Sequence, residues 1–493
     1  MNFPDLLNHG WGLLIVALFF GGSIFVHELG HFLAAKWRGL HIERFSIGFG
    51  PKIFSWTRGG VEYRLSWLPL GGYVALPQLA DMRGIEGDSS IDAGAMPPIG
   101  YRDKVIVAVA GAVFNIIFAF LLATILFFTG RPTSEDRASV EVGYLSDTLL
   151  NAAGQEVTAP AKAAGMQVGD LIRYIDGSPV KNWDDIHQGI ALSTGTTTQG
   201  SREIEFIVER DGEQVTLQVQ PIISEGMKLR QVGLRPGFTV KVGAVFPDSP
   251  IEKAGIAPGD TLLELDGQPV RSIAFYTDYL KDKGVQPVSI TFEHEGTVKT
   301  AQITPEEVIV STDGRKAVLT GIAAFDTNRS LLYQTPTEQL KEVAITTYTN
   351  LRALLHKNSD IGISHMSGPV GIIRVIKSAA QYDMLNTLWI VIFINVSLAF
   401  FNMMPIPVLD GGHIAFATIN KLRRKPINPN VIASLQGSFM ILLFGMMMYV
   451  TFFDVSRWIS DASESAETRA KAVTPVFGNP ENANADTPSS TEE

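Results

Sequence analysis

Residues 11–35 read WGLLIVALFFGGSIFVHELGHFLAA, from Trp11 to Ala35, and are apolar apart from Ser23, His27, Glu28 and His31. Twenty-five helical residues at about 1.5 Å each are long enough to cross the roughly 30 Å hydrocarbon core of a bilayer. No Lys or Arg precedes the block and the first basic residue is Lys36, which favours a retained span over a cleaved signal peptide. Three more charge-free stretches follow, Val105–Gly130, Leu385–Met404 and Val431–Phe453. The whole 493-residue chain is 46% hydrophobic and only 18% charged, below the roughly 25% of soluble domains. These features predict four transmembrane helices with soluble modules attached.

Composition also excludes several chemistries. A net charge of -10 leaves no basic surface for nucleic acid. With no cysteine, thiolate zinc sites, iron–sulfur clusters, disulfides and cysteine nucleophiles are ruled out, so a metal site must use His and carboxylates. The 36–104 loop carries nine Lys or Arg and the 411–430 loop carries four with no acid, whereas the tail beyond Phe453 has eight acids and three bases. By the positive-inside rule the two loops are cytoplasmic, and both termini and residues 131–384 are extracytoplasmic.

That long segment contains a repeat. Ala164-Gly165-x-x-x-Gly169-Asp170 followed by Asp176-Gly177-x-Pro179-Val180 recurs 90 residues later as Ala254-Gly255-x-x-x-Gly259-Asp260 and Asp266-Gly267-x-Pro269-Val270. A period of that size means two copies of one compact domain, placed at 131–222 and 223–323. The pattern resembles PDZ domains of the bacterial protease-associated kind, in which a peptide C-terminus adds as a strand beside an edge strand. The first copy departs from it with a polar insertion, Ser146–Pro160. In the 324–384 segment, Leu340, Val343, Ala344, Thr347, Tyr348, Leu351, Leu354 and Leu355 have helical spacing. An amphipathic helix is expected there, packed on the second repeat or lying at the membrane surface. The polar 454–493 tail reads as disordered.

The chemistry lies inside the first span. His27-Glu28-Leu29-Gly30-His31 is an H-E-x-x-H sequence, which on a helix puts both imidazoles on one face and a carboxylate beside them to deprotonate an activated water. Three ionisable residues within five positions of a span are costly there without a cation to hold. Catalytic zinc takes three protein ligands and keeps one position open. Span three runs in the same direction as span one and ends in Asn402-Met-Met-Pro405-Ile-Pro407-Val-Leu409-Asp410-Gly411-Gly412-His413, where two prolines break the helix. His27 lies about 24 Å along its helix from Trp11, in the inner half of the bilayer. Asp410, on irregular backbone at the same level, is the expected third ligand, with His413 as the alternative.

H-E-x-x-H in a first span, N-x-x-P-x-P-x-L-D-G at the end of a later one and tandem PDZ-like repeats between spans two and three together resemble the site-2 proteases, over the chain up to about residue 453. The resemblance implies an intramembrane zinc metalloprotease in which His27, His31 and Asp410 hold Zn2+, Glu28 is the base and Asn402 holds substrate backbone. Ile53–Trp67 alternates apolar residues around Arg58-Gly59-Gly60, a hairpin signature. With Pro69–Val74 it resembles the family's membrane-reentrant β-element, so Gly71, Gly72 and Tyr73 are implied to clamp extended substrate. Gly111, Asn115 and Ser367–Pro369 also resemble family positions and read first as packing or helix-breaking features.

The expected fold is therefore a polytopic α-helical membrane protein with a membrane-associated β-hairpin and two inserted α+β PDZ-like domains. Its pieces are span one within 1–35, the β-element loop 36–104, span two 105–130, the repeats, the helical segment, span three with its motif 385–410, loop 411–430, span four 431–453 and the tail. The implied substrates are single-span membrane proteins of the anti-sigma-factor or remnant-signal-peptide type, trimmed first by another protease. The implied setting is a bacterial inner membrane and a stress response. Membrane lipid and peptide C-termini at the repeats are the other partners. Two rival readings are a non-catalytic scaffold with a structural metal and a metal or proton transporter using the same polar residues as a relay.

Overall fold

The computed structural model describes residues 3–78, 99–196, 202–224, 229–362 and 366–478. It divides into two compact units, one of residues 1–132, 331–351 and 363–457, the other of residues 133–330, 352–362 and 458–493.

In the first unit, α1 (Phe3–Trp37) is followed by two long strands, β1 (Arg44–Arg58) and β2 (Val61–Ala75). Then come α2 (Tyr101–Thr129), α3 (Pro336–Leu355), α4 (Pro369–Tyr382), α5 (Met384–Asn402), α6 (Asp410–Arg423) and α7 (Pro429–Lys471), the ends of α3 beyond residue 351 and of α7 beyond residue 457 belonging to the second unit. Four of these helices, α1, α2, α5 and α7, are long and apolar enough to cross a membrane, as the hydropathy pattern predicts. Their outward residues are apolar too. Phe128 is 75% exposed, Ile441 76% and Phe452 69%, which suits side chains that dissolve in lipid and not in water.

The helices meet through small residues. A methyl group on Gly30 would lie 2.5 Å from the Ala110 carbonyl oxygen, so α1 and α2 cross in near backbone contact. Ala119, Leu122, Ala123 and Leu126 of α2 pack with Val391, Ile392 and Val396 of α5. Val343 of α3 joins this cluster, with Leu340 and Ala344 beside it. Part of the expected apolar face, Leu340, Val343 and Ala344, thus packs on α2 and α5, while Tyr348 and Leu355 of that face are exposed. The Thr347 and Ser397 hydroxyls hydrogen-bond at 2.9 Å, and the Gln339 amide donates to the Ala123 carbonyl at 3.1 Å.

The hairpin turns at Gly59 and Gly60, both in the left-handed region (φ 61° and 82°) that only glycine enters freely. It is longer than the alternation alone suggested. Val61–Leu65 pairs across the turn with Phe54–Arg58 and also lies beside Arg44–Ile47, whose other side pairs with Gly72–Ala75. Gly72–Ala75 therefore lies at an edge of this curled sheet. Phe45 and Val74 pack with Phe32 and Ala35 of α1, while Ile53, Phe54, Trp56 and Trp67 are exposed.

Two further details differ from the sequence reading. Asp410 is not on irregular backbone: it opens α6, after a turn over Met403–Leu409. The turn is tight because Gly411 and Gly412 allow it. A methyl on Gly412 would stand 2.1 Å from the Ile406 carbonyl oxygen. Residues 411–430 accordingly hold a helix and not only a loop. The expected disorder from residue 454 also fails, because α7 continues to Lys471. Its extension includes three Ala, two Glu and two Arg, good helix formers, and closes with a Glu467–Lys471 pair one turn apart. Asp454, only 4% exposed, accepts the Gly368 and Gly371 amides at 2.8 Å and so caps α4, which starts with Pro369. Residues 479–493 of the expected tail lie outside the described ones.

In the second unit the repeat appears as two small α+β domains. The first has strands Leu171–Ile175, Ile204–Arg210 and Glu213–Val219 with helix Trp183–Ala191. Its core contains Ile172, Ile186, Phe206 and Val208. The second sheet is ordered Thr297–Ile303, Val288–His294, Thr261–Leu265, Lys241–Val245, Ile322–Asp326, with helix Ile273–Lys283. Its core contains Leu262, Leu265, Ile290 and Phe292. The repeated Asp-Gly pairs are tight turns, with positive φ at Asp176 and Gly177 and at Asp266 and Gly267. The repeated Gly-Asp places a carboxylate that accepts a backbone amide three residues back, Gln167 for Asp170 and Ala257 for Asp260. Lys283, with the Ser289 amide and the Tyr279 hydroxyl, holds the Asp266 carboxyl down at about 2.

The boundary between the repeats moves. Leu234–Pro236 pairs with Val142–Leu145, so the first domain closes beyond residue 222. Ile322–Asp326 closes the second in the same way, beyond residue 323. Each copy keeps its last strand after its hairpin, a non-local pairing that the glycine motifs do not signal. The polar insertion of the first copy is a small hairpin, Thr148–Leu150 with Glu156–Thr158.

Candidate metal centre

One turn of α1 separates His27 from His31, so both imidazoles leave the same helix face, with Nε2 atoms 3.1 Å apart. The Asp410 carboxylate approaches from the start of α6, with Oδ2 3.3 Å from His27 Nε2 and 3.4 Å from His31 Nε2. Both histidines are more than nine-tenths buried. Among the described residues this is the group of histidines and acids placed to hold a metal ion. His413 is not part of it.

The triangle can be tested against zinc. Ligand bonds of about 2.0–2.1 Å in a tetrahedron put donor atoms about 3.3–3.4 Å apart. The observed edges match one face of such a tetrahedron, and two neutral imidazoles with one carboxylate are a donor set zinc accepts. The fourth vertex would serve water or substrate.

The rings are held as a metal site requires. His31 Nδ1 donates to the Val107 carbonyl of α2 at 2.8 Å, which fixes the tautomer and turns Nε2 toward the triangle. Gly111, one turn further along α2, lies under both rings. A methyl there would stand 2.4 Å from His31 Nε2 and 2.7 Å from His27 Cε1. The sequence reading treated Gly111 as packing, and the helix crossing shows what it packs: the imidazoles themselves. Only the partner helix could reveal this, because the spacing within α2 carries no sign of it.

Glu28 lies between the two histidines in sequence and close enough to His31, His27 and Asp410 for its charge to interact with all three. Against it packs β2. A methyl on Gly72 would come within 2.8 Å of Glu28 Cγ and 2.9 Å of the Ser46 carbonyl oxygen. Gly71 precedes this contact, and Tyr73 follows it, paired with Ser46 in the sheet and its hydroxyl 3.4 Å from the Arg44 guanidinium. The edge strand Gly72–Ala75 thus passes directly beside the acid. Asn402, the last residue of α5, puts its amide nitrogen 3.2 Å from His27 Nε2. All eight residues named from the sequence therefore occupy one neighbourhood, built by α1, β2, the end of α5 and the start of α6.

This arrangement can hold a Lewis-acidic cation in an apolar bundle, place a carboxylate base next to it and offer strand-edge hydrogen bonds alongside. Residues 15–446 match the model of peptidase family M50. The regulator of sigma-E protease RseP of Salmonella typhimurium is 27% identical over 472 residues, 92% of this chain and 100% of its own length. A Neisseria meningitidis protein named as a zinc metalloprotease is 28% identical over 454 residues, 88% of this chain and 96% of its own. The PDZ domain of the SdrC-like protein of Listeria monocytogenes aligns at 26% identity over 16% of this chain and 83% of its own, with a TM-score of 0.14. With a family match that reaches from the first apolar helix into the fourth, the chain belongs to peptidase family M50, the site-2 type of metalloprotease.

Proposed function

We propose that this protease hydrolyses peptide bonds within or near the transmembrane segments of single-span membrane proteins, using one zinc ion held by His27, His31 and Asp410. The observation that carries the reading is the donor triangle with Glu28 beside it, placed among apolar helices and flanked by strand β2. A structural metal would need a closed fourth ligand and no base, and a transport relay has no use for a strand edge.

A transmembrane helix hides its carbonyls in internal hydrogen bonds, so a scissile bond must first be unwound. Gly72–Ala75 can pair with the unwound segment as an added strand and replace the lost bonds. The Asn402 amide hydrogen-bonds substrate backbone near His27. Zinc held there would polarise the scissile carbonyl and lower the pKa of water. Glu28 takes a proton from the attacking water as its oxygen bonds to the carbonyl carbon, and returns the proton to the amine as the C–N bond breaks, so no covalent enzyme intermediate is needed.

The two repeat domains are PDZ-like gates on the extracytoplasmic face of a bacterial inner membrane. They exclude intact ectodomains and admit substrates already trimmed by another protease. One relative's name, regulator of sigma-E protease, supports a role in sigma-factor control; a single-span anti-sigma factor with a stress response downstream, or a remnant signal peptide, fits the same chemistry. The test uses purified protein in detergent with a single-span substrate in trimmed and intact forms, and maps the cut by mass spectrometry. Trimmed substrate should be cut inside its apolar segment, and intact substrate hardly at all. Replacing residues 137–327 by a flexible linker should bring the two rates together. Cuts confined to soluble loops would defeat the intramembrane assignment, and unchanged selectivity after the deletion would defeat the gate.

A further inference from the structure

Beyond the end of α7, in a tail that is otherwise polar, Ala472-Val473-Thr474-Pro475-Val476-Phe477-Gly478 is an apolar island. It lies past residue 446, where the family match stops. It does not trail free. The Thr312 amide donates to the Lys471 carbonyl at 2.7 Å and the Val473 amide to the Val310 carbonyl at 3.2 Å, which makes Ala472 and Ser311 an antiparallel pair. Five residues beyond Ala472, Phe477 is only 5% exposed, with its ring 5.9 Å from that of Phe246. The Gly478 amide then donates to a Glu306 carboxylate oxygen at 3.1 Å.

We infer that the second PDZ-like domain carries an additional peptide-docking site, formed by Val310–Thr312, Phe246 and Glu306, whose ligand is the chain's own segment 471–478. The recognition chemistry is a short strand pairing followed, after a proline, by one buried aromatic anchor. The site abuts the edge strand Ile322–Asp326, since the Phe246 amide donates to the Gly321 carbonyl at 2.8 Å. Because α7 runs unbroken from the fourth apolar helix to Lys471, a docked segment 471–478 straps the domain to the end of that helix. Segment and site are covalently linked, so the local concentration is high and even a weak contact stays closed until a competitor displaces it. Resting on the gating proposed above, the docked segment favours the form of the repeat domains that excludes intact substrate.

The cysteine-free chain permits a direct test. In an antiparallel pair flanked by two such hydrogen bonds the Cα atoms lie about 4.5 Å apart, within disulfide range. The Ser311→Cys/Ala472→Cys variant should therefore cross-link under mild oxidation, and Phe477→Asp added to it should reduce the cross-linking rate about tenfold. Truncation after Ala470 should speed hydrogen exchange at Thr312, whose amide donates to the Lys471 carbonyl, by about tenfold or more. Failure to cross-link together with unchanged exchange would overturn the docking site, whether or not the protein cuts anything. If docking holds, truncated protein should cut intact substrate several times faster at an unchanged rate on trimmed substrate, and the oxidised double-cysteine protein should cut intact substrate no faster than wild type. An unchanged intact-to-trimmed ratio on truncation would overturn the strap role while leaving the docking site and the protease standing.

Discussion

Gly72→Val is expected to keep its zinc and to lose cleavage activity by about a hundredfold or more. The new side chain would start 2.8 Å from Glu28 Cγ on one side and 2.9 Å from the Ser46 carbonyl on the other. The second contact is with backbone in a paired strand, so the crowding cannot be relieved there and falls on Glu28. A base displaced by about 1 Å loses its alignment with the attacking water, and the edge strand that would carry substrate is pushed off as well. His27, His31 and Asp410 are not among the atoms it would meet. Zinc content measured beside the cleavage rate separates the outcomes: loss of both would mean that β2 supports the ligand cage, and normal activity would mean that Glu28 does not act where the strand holds it.

Gly111→Ala should do the reverse and strike the metal first. Its methyl would fall 2.4 Å from His31 Nε2, and His31 cannot swing aside without breaking its bond to the Val107 carbonyl. Disturbing the partners that orient a ligand typically lowers metal affinity by about 10- to 100-fold. Competition with a chelator should therefore show weaker zinc binding, and added zinc should restore part of the lost activity. If zinc affinity were unchanged while the protein unfolded at lower temperature, Gly111 would serve only the crossing of α1 and α2.

What the sequence disclosed and what it withheld follow from the range of the interactions. The four apolar stretches, the H-E-x-x-H spacing and the Asp-Gly turns are local, so hydropathy, the 3.6-residue period and glycine's φ preference reveal them directly. Pairing His27 and His31 with Asp410, 379 residues beyond the second histidine, needed one topological step, the shared direction of spans one and three. Other features exist only between elements. Gly72 against Glu28, Gly111 under the imidazoles and Asp454 capping α4 each depend on a partner distant in sequence. The same holds for the last strands of the two repeats, and it moved their boundaries. The extension of α7 was misread for a different reason: polar composition suggested disorder, while the Ala, Glu and Arg within it favour a helix and an apolar island beyond it finds a surface to cover.

The catalytic assignment rests on Glu28 as the base beside zinc held by His27, His31 and Asp410. The direct measurement is cleavage of a trimmed single-span substrate by purified wild type, Glu28→Gln and Asp410→Ala in detergent, with bound zinc counted in each sample. Wild type should cut with about one zinc per chain, Glu28→Gln should keep its zinc and fall by about a thousandfold or more, and Asp410→Ala should lose zinc and activity together. A Glu28→Gln protein that cuts as fast as wild type would contradict the mechanism.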